Sequence, residues 1–259
     1  MSHRRFDGLA VEVHATAAAA GAAAAAAVAD CLAGLARRHG RLRMVFAAAP
    51  SQEEFLAALT LMPGVPWPRI TAFHLDEYLG LPPDAPQRFV NWLQPRLLRR
   101  VPFAAVHTLD GGADPAAEAQ RYAALLRAQP LHVACLGIGE NGHLAFNDPP
   151  DADFADPALV RVATLEQRCR QQQVHDGCFA SLADVPLRAL TLTIPAIMGA
   201  RHIFAVVPSA AKAPAVRDAL LGPIAASCPA SILRRHRSAR LYLDAAAAAL
   251  LPGDGPAPT

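Results

Sequence analysis

Leu131-His132-Val133-Ala134-Cys135-Leu136-Gly137-Ile138-Gly139-Glu140-Asn141-Gly142-His143-Leu144-Ala145-Phe146-Asn147-Asp148-Pro149 runs from an apolar stretch directly into a glycine-rich loop. An apolar run without polar alternation reads as a strand buried on both faces, and the glycines that follow mark a strand-end loop. Gly137, Gly139 and Gly142 formally match the dinucleotide-binding fingerprint, which requires a long helix to open at the third glycine. Pro149 and Pro150 arrive within eight residues of Gly142, and no second strand ending in an acid follows at the usual distance. The loop therefore reads as one that lets a ligand approach the backbone and presents His143 to it.

Outward from this segment, short apolar runs recur at Leu42 to Ala49, Ile70 to Leu75, Leu190 to Ile194, His202 to Val207 and Leu241 to Leu243. Between them lie helical candidates at Gln52 to Leu61, Gln87 to Arg99, Pro115 to Ala128 and Ser209 to Leu221, each bounded by Pro or Gly. Alternating strands and helices predict an α/β fold: a doubly wound, mostly parallel, Rossmann-like sheet with helices on both faces. A single domain over residues 1–251 and a flexible tail over 252–259 are expected. In such sheets ligands bind at the carboxyl ends of the strands, near the switch in strand order.

The composition sets wide bounds. With 53% hydrophobic residues, 18% charged residues and a formal net charge of +2, the chain can bury a large core and has no bias toward nucleic acid or an anionic membrane. Its five cysteines are odd in number and widely spaced, without metal-ligand spacing, which predicts reduced thiols, no metal and a cytoplasmic location. Arg4 and Arg5 followed by the alanine-rich run Ala15 to Ala27 resemble a signal peptide, but Asp7, Glu12 and Asp30 interrupt the pattern. A first helix ending near Arg37, Arg38 and Gly40 fits better.

A second chemical segment is Phe73-His74-Leu75-Asp76-Glu77-Tyr78-Leu79-Gly80-Leu81. Adjacent side chains on a strand point to opposite faces, so one of Asp76 and Glu77 is expected to be catalytic and the other structural. His74 and His132, on apolar strands, read as core histidines, and Arg234, Arg235, His236 and Arg237 as a solvated helix end.

Together the two segments resemble the glucosamine-6-phosphate deaminase/isomerase family, through Asp76-Glu77-Tyr78 and Gly137-x-Gly139-x-x-Gly142-His143-x-Ala145-Phe146-Asn147. The related 6-phosphogluconolactonases share the glycine-histidine core but typically continue differently after it. The resemblance implies an α/β enzyme that acts on a phosphorylated amino sugar without metal or redox cofactor, a possible homo-oligomer. It places the proton-transfer base on Asp76 and the ring-opening group on His143. The acids that orient this histidine in the family fall on Asn141, a departure, and Asp148; Glu140 is a candidate for the missing charge. Phosphate contacts fall on Arg170 and Lys212, and the family's Gly-Gly-Thr-Pro loop falls on Ala48-Ala49-Pro50-Ser51, followed by Gln52. The amides of Ser51, Gln52 and Glu53 then face an anion, with Ser51 as helix cap, while Glu77, Gly137, Gly139 and Gly142 complete the expected binding set. Two other readings stay open: a lactonase in which His143 activates water, and a sugar-phosphate sensor without turnover.

Overall fold

The computed structural model describes residues 1–252. Its main sheet has eight strands in the spatial order β1 (Ser2–Phe6), β2 (Leu9–His14), β11 (Ala239–Asp244), β10 (His202–Val207), β7 (Val133–Leu136), β3 (Leu42–Phe46), β4 (Ile70–His74) and β6 (Ala105–Val106). Only β1 runs antiparallel to its neighbour; every other adjacent pair is parallel. The chain moves outward through β3, β4 and β6, returns to place β7 beside β3, and moves outward again through β10 and β11. The switch in order thus lies between β3 and β7, as the doubly wound reading requires.

Both faces of the sheet are buried. Along β3, Val45 joins the core beneath α4 (Pro115–Arg127) and α7 (Ala213–Leu221), whereas Met44 and Phe46 join the core beneath α1 (Ala17–Ala36) and α2 (Glu53–Leu61). Helix α1 is long and apolar enough to cross a membrane, with a window of mean hydropathy 1.7. Here its stripe of Ala20, Ala24, Val28 and Leu32 is fully buried, and Asp30 is exposed. Gly21 lies in the same stripe, where a Cβ would stand 2.8 Å from the backbone nitrogen of Phe55. The missing side chain lets the start of α2 rest directly on α1.

Five features depart from the sequence reading. The paired strands β1 and β2 were not anticipated, nor was α5 (Gln167–His175). The run at Leu190 belongs instead to β9 (Arg188–Leu192), the centre of a separate antiparallel sheet between β5 (Asp76–Tyr78) and β8 (Val160–Thr164). The helix expected from Gln87 is regular only over α3 (Phe89–Leu93), after which Gln94–Leu98 form a π-turn. The basic run near residue 235 is divided: Arg234 donates to the carbonyls of Leu220 and Gly222, and His236 is buried against the carbonyl of Ala200. Of the predicted tail, residues 253–259 lie outside the described residues; the Pro252 carbonyl accepts from Arg4.

Candidate active site

A cleft opens at the carboxyl ends of β3, β4, β7 and β10. Asp76, His143, Ser51 and Lys212 line it, with Ala48, Ala49, Gly137 and Gly139 from the expected set. The small sheet brings the two sequence motifs together. Asp76 on β5 pairs with Thr191 on β9, and the Thr191 hydroxyl accepts the backbone N–H of Phe146. The side-chain amide of Asn147 donates to the carbonyls of Leu144 and Leu192. One strand therefore fixes both the acid and the histidine loop.

His143 is held by a network behind its ring. Its Nδ1 lies 2.7 Å from Oδ1 of Asn141 and 3.1 Å from Oδ1 of Asp148. The Asn141 amide nitrogen donates to Asp148 and, at 3.4 Å, to Glu166, so its oxygen is left facing the imidazole. That oxygen only accepts, which places the proton on Nδ1 and leaves Nε2 free to exchange protons. Burial pushes the Asp148 carboxyl up, but bonds from His143, Asn141 and the Glu166 N–H prevail and hold it below the usual range. Asp148 therefore favours its ionised form beside the His143 ring. The extra charge beside Asn141 comes from Glu166, which also caps α5; Glu140 sits 3.6 Å from His175 instead.

Asp76 and Glu77 divide as the period of two predicts. Asp76 lines the cleft, and burial, then the charges of Glu77 and Asp148, push its carboxyl well above the usual range. Glu77 is fully buried away from the cleft, a correction to its expected place in the binding set. Its carboxylate accepts the backbone N–H groups of Tyr78, Phe89 and Val90 at the start of α3. Burial raises it to about 7 against the pull of those bonds.

The residues expected to hold an anion are arranged differently from that expectation. The Arg170 guanidinium donates to the carbonyls of Leu182 and Val185 and does not line the cleft. Helix α5 instead turns Gln172 and Gln173 inward, residues that the sequence reading missed because the helix itself was missed. Ser51 is not the cap: Ala49 takes that position, and the N–H groups of Gln52 and Glu53 are bonded to the carbonyls of Ala49 and Pro50. Of the three expected amides, only that of Ser51 is left for an anion. Gln52 is buried, and its amide spans the Ser51 hydroxyl and the Val206 carbonyl, tying the loop after β3 to β10. Lys212 is 5% exposed, and burial draws its ammonium below the usual value although Asp176 and Glu140 oppose the shift. Ser209, at φ 93°, is pinned ahead of it by both carboxylate oxygens of Asp244.

Two glycines serve the loop itself. A Cβ on Gly139 would stand 2.1 Å from Cε1 of His143, so the imidazole occupies the space a side chain would fill. Gly142 sits at φ 84° with Cys228 against it, and Gly137 adjoins the Gln52 amide. No helix opens at Gly142: the chain closes a short bridge between Leu144 and Asn147. The ligating atoms of His143, Asp148 and Cys169 lie within 4.8 Å of one another. The histidine nitrogen is already engaged by Asn141 and Asp148, and burial pushes the Cys169 thiol well up, so these atoms act as hydrogen-bond partners. Across Ala48, Ala49, Phe89 and Gln173 the cleft continues into a chamber of 340 Å³ walled by Trp92, Pro50 and Asp176.

With this geometry in place, the family model for glucosamine-6-phosphate isomerases/6-phosphogluconolactonase matches residues 15–243. The chain belongs to this family. A glucosamine-6-phosphate deaminase of Exiguobacterium sibiricum is 41% identical over 183 residues, covering 70% of this chain and 71% of that one. The deaminase of Pseudarthrobacter chlorophenolicus is 38% identical over 192 residues, covering 73% and 72%. A solved structure of a monomeric glucosamine-6-phosphate deaminase superposes with a TM-score of 0.84 at 29% identity, covering 93% of this chain and 99% of that chain. The 6-phosphogluconolactonase of Trypanosoma brucei superposes with a TM-score of 0.75 at 20% identity, covering 97% and 100%, a likeness of fold. The glucosamine-6-phosphate isomerase/6-phosphogluconolactonase family thus accounts for the doubly wound sheet, and the cleft holds both motifs by which the sequence resembles its deaminase branch.

Proposed function

We propose that this chain is a glucosamine-6-phosphate deaminase, which converts a 2-amino-2-deoxyhexose 6-phosphate and water to the ketohexose 6-phosphate and ammonia. The observation that carries the reading is the placement of Asp76 and the Asp148-backed His143 in one cleft with the buried ammonium of Lys212. His143 moves a proton between the anomeric hydroxyl and the ring oxygen through Nε2, opening the ring. Asp76 then takes the C2 proton and returns it to C1. The C1–C2 enolamine formed between these steps becomes a C2 ketimine, and water adds to C2 and displaces ammonia.

The electrostatics favour an amino sugar over a lactone. Burial, then the charges of Glu77 and Asp148, disfavour an ionised Asp76, and a C2 ammonium supplies the positive charge that allows it to ionise. A phosphorylated lactone brings no cation. Lys212 and Ser51 line the same cleft, and in this reading the ammonium, the Ser51 hydroxyl and the Ser51 N–H hold the phosphate. A coupled ammonia-release assay across 2-amino-2-deoxyhexose 6-phosphates tests the reading: turnover of at least one is expected. Acid release from 6-phosphogluconolactone with no ammonia from any amino sugar would replace it with the lactonase, and tight binding without turnover with the sensor. Deuterium exchange at C2 of an open-chain analogue separates the roles, persisting in His143→Gln and vanishing in Asp76→Asn.

A further inference from the structure

The three central strands of the sheet each begin with a basic residue immediately before them: Arg41 before β3, His132 before β7 and Arg201 before β10. These strands are neighbours, so the three side chains converge at the end of the sheet opposite the catalytic cleft. With Arg38 and His39 they line a groove of 430 Å³ that contains no carboxylate among the described residues. None of the three arginines has an ion-pair partner among the described residues.

The histidines of the groove are preset. Nδ1 of His132 accepts the backbone N–H of Arg43 at 3.1 Å, which places its proton on Nε2 as a donor. The ring is 5% exposed, yet it lines the groove; burial first, and then its basic neighbours, lower it to about 4, so it stays a neutral N–H donor at physiological pH. Arg201, which can only donate, lies 3.0 Å from Nε2 of His39, fixing that ring as the acceptor. The lining thus includes a histidine whose free N–H is a donor and three arginines, groups whose chemistry suits tetrahedral oxyanions. Past Arg41 and Gln129 the groove continues into a second one of 440 Å³, walled by Phe73 and His107, with the Arg43 guanidinium 4.7 Å over the Phe73 ring. An aromatic annex of this kind suits the organic part of an ester more than a bare anion.

We infer that this groove is a second ligand site, separate from the catalytic cleft, that binds the phosphate of a small phosphate monoester through His132, Arg41 and Arg201 and seats the esterified group toward Phe73. The test is an NMR titration of the imidazole nitrogens with inorganic phosphate, glucose 6-phosphate and adenosine monophosphate in turn. The His132 Nε2 resonance is expected to move with all three, and at least one monoester to bind about tenfold more tightly than inorganic phosphate. The double variant Arg41→Gln/Arg201→Gln, altered only at exposed side chains, is expected to lose about tenfold or more in affinity. Ammonia release by the variant, if the chain deaminates, should be unchanged. No movement of His132 at about 20 mM ligand, equal affinity for inorganic phosphate and both esters, or unaltered binding by the double variant would each overturn the proposal. Displacement of the esters by a short oligonucleotide at lower concentration would overturn it as well, in favour of a surface for polyanions.

Discussion

The loops after β3 and β7 both open onto the catalytic cleft, yet they are built from different residues. The loop after β7 carries three glycines within six residues; the loop after β3 carries Ala48-Ala49-Pro50-Ser51 and has no residue at positive φ. The glycines were expected to admit a ligand to the backbone, but at Gly139 the space is filled by the imidazole of His143, and at Gly142 it is limited by Cys228. The loop after β3 has the Gln52 amide bonded to the Ser51 hydroxyl but closes by ordinary helical turns at negative φ, so alanine costs it little. Glycine content in these loops follows how tightly the loop packs on its own residues.

The strongest test of this contrast is Gly139→Ala. A methyl group there has to displace the imidazole, and the loss of a positioned acid–base group predicts a fall in kcat of roughly 10²–10⁴-fold with little change in thermal midpoint. A kcat within about threefold of the parent would show that His143 does not need its seat against residue 139.

The loop after β4, which leads to Asp76, follows a third strategy and is anchored by His74. Its Nε2 accepts the N–H of Leu109, the Tyr122 hydroxyl bridges its backbone, and burial lowers it from 6.5 to about 4. The unfolded chain takes up this proton first on acidification, so the stabilisation is complete above pH 6.5 and is lost as pH falls toward 4. The size is about 3 kcal/mol. Urea unfolding at pH 6.5 and pH 4 should show a shallower pH dependence in His74→Gln, whose carboxamide oxygen keeps an acceptor for Leu109 but does not titrate. Equal pH dependence in the two proteins would sink the assignment.

Next in size is the anion end of the cleft. Lys212→Gln is expected to raise KM for a phosphorylated substrate by about tenfold or more, and Arg170→Gln to leave it within about twofold. The opposite ranking in steady-state kinetics would return Arg170 to the phosphate. The smallest effect is expected for Ala49→Gly, within about threefold in kcat/KM, since Ala49 holds an extended backbone that alanine adopts as readily as glycine. A large gain in that variant would mean that alanine crowds the ligand after all.

What the sequence disclosed was what its chemistry kept local. His143, Asn141 and Asp148 contact one another within a single loop, so the resemblance carried by that one motif was enough to locate them, and the alternation of a strand separated Asp76 from Glu77. Contacts made between distant segments stayed hidden. The β5–β9 pairing that joins the motifs, the Asp244 carboxylate that pins Ser209, and Glu166 beside Asn141 carry no signature in their own neighbourhoods. Arg170 shows the limit from the other side: the resemblance matched it to the family's phosphate contact, but the direction of its side chain depends on α5, which the polar run Gln171-Gln172-Gln173 did not announce.

Every glycine codon lies one base from an alanine codon, so Gly21 is a single substitution away from merging into the alanine run around it. Such a change would leave composition, helix propensity and hydropathy looking improved, and a survey that scores variants by those measures would pass it as benign. Yet the methyl group would push on the backbone of Phe55 and Glu54, at the base of the turn that carries Ser51 to the cleft. The alanine run thus hides an inherited vulnerability at one position, visible only in three dimensions, where the mildest change in the genetic code would act on catalysis from beneath the sheet's helical cover.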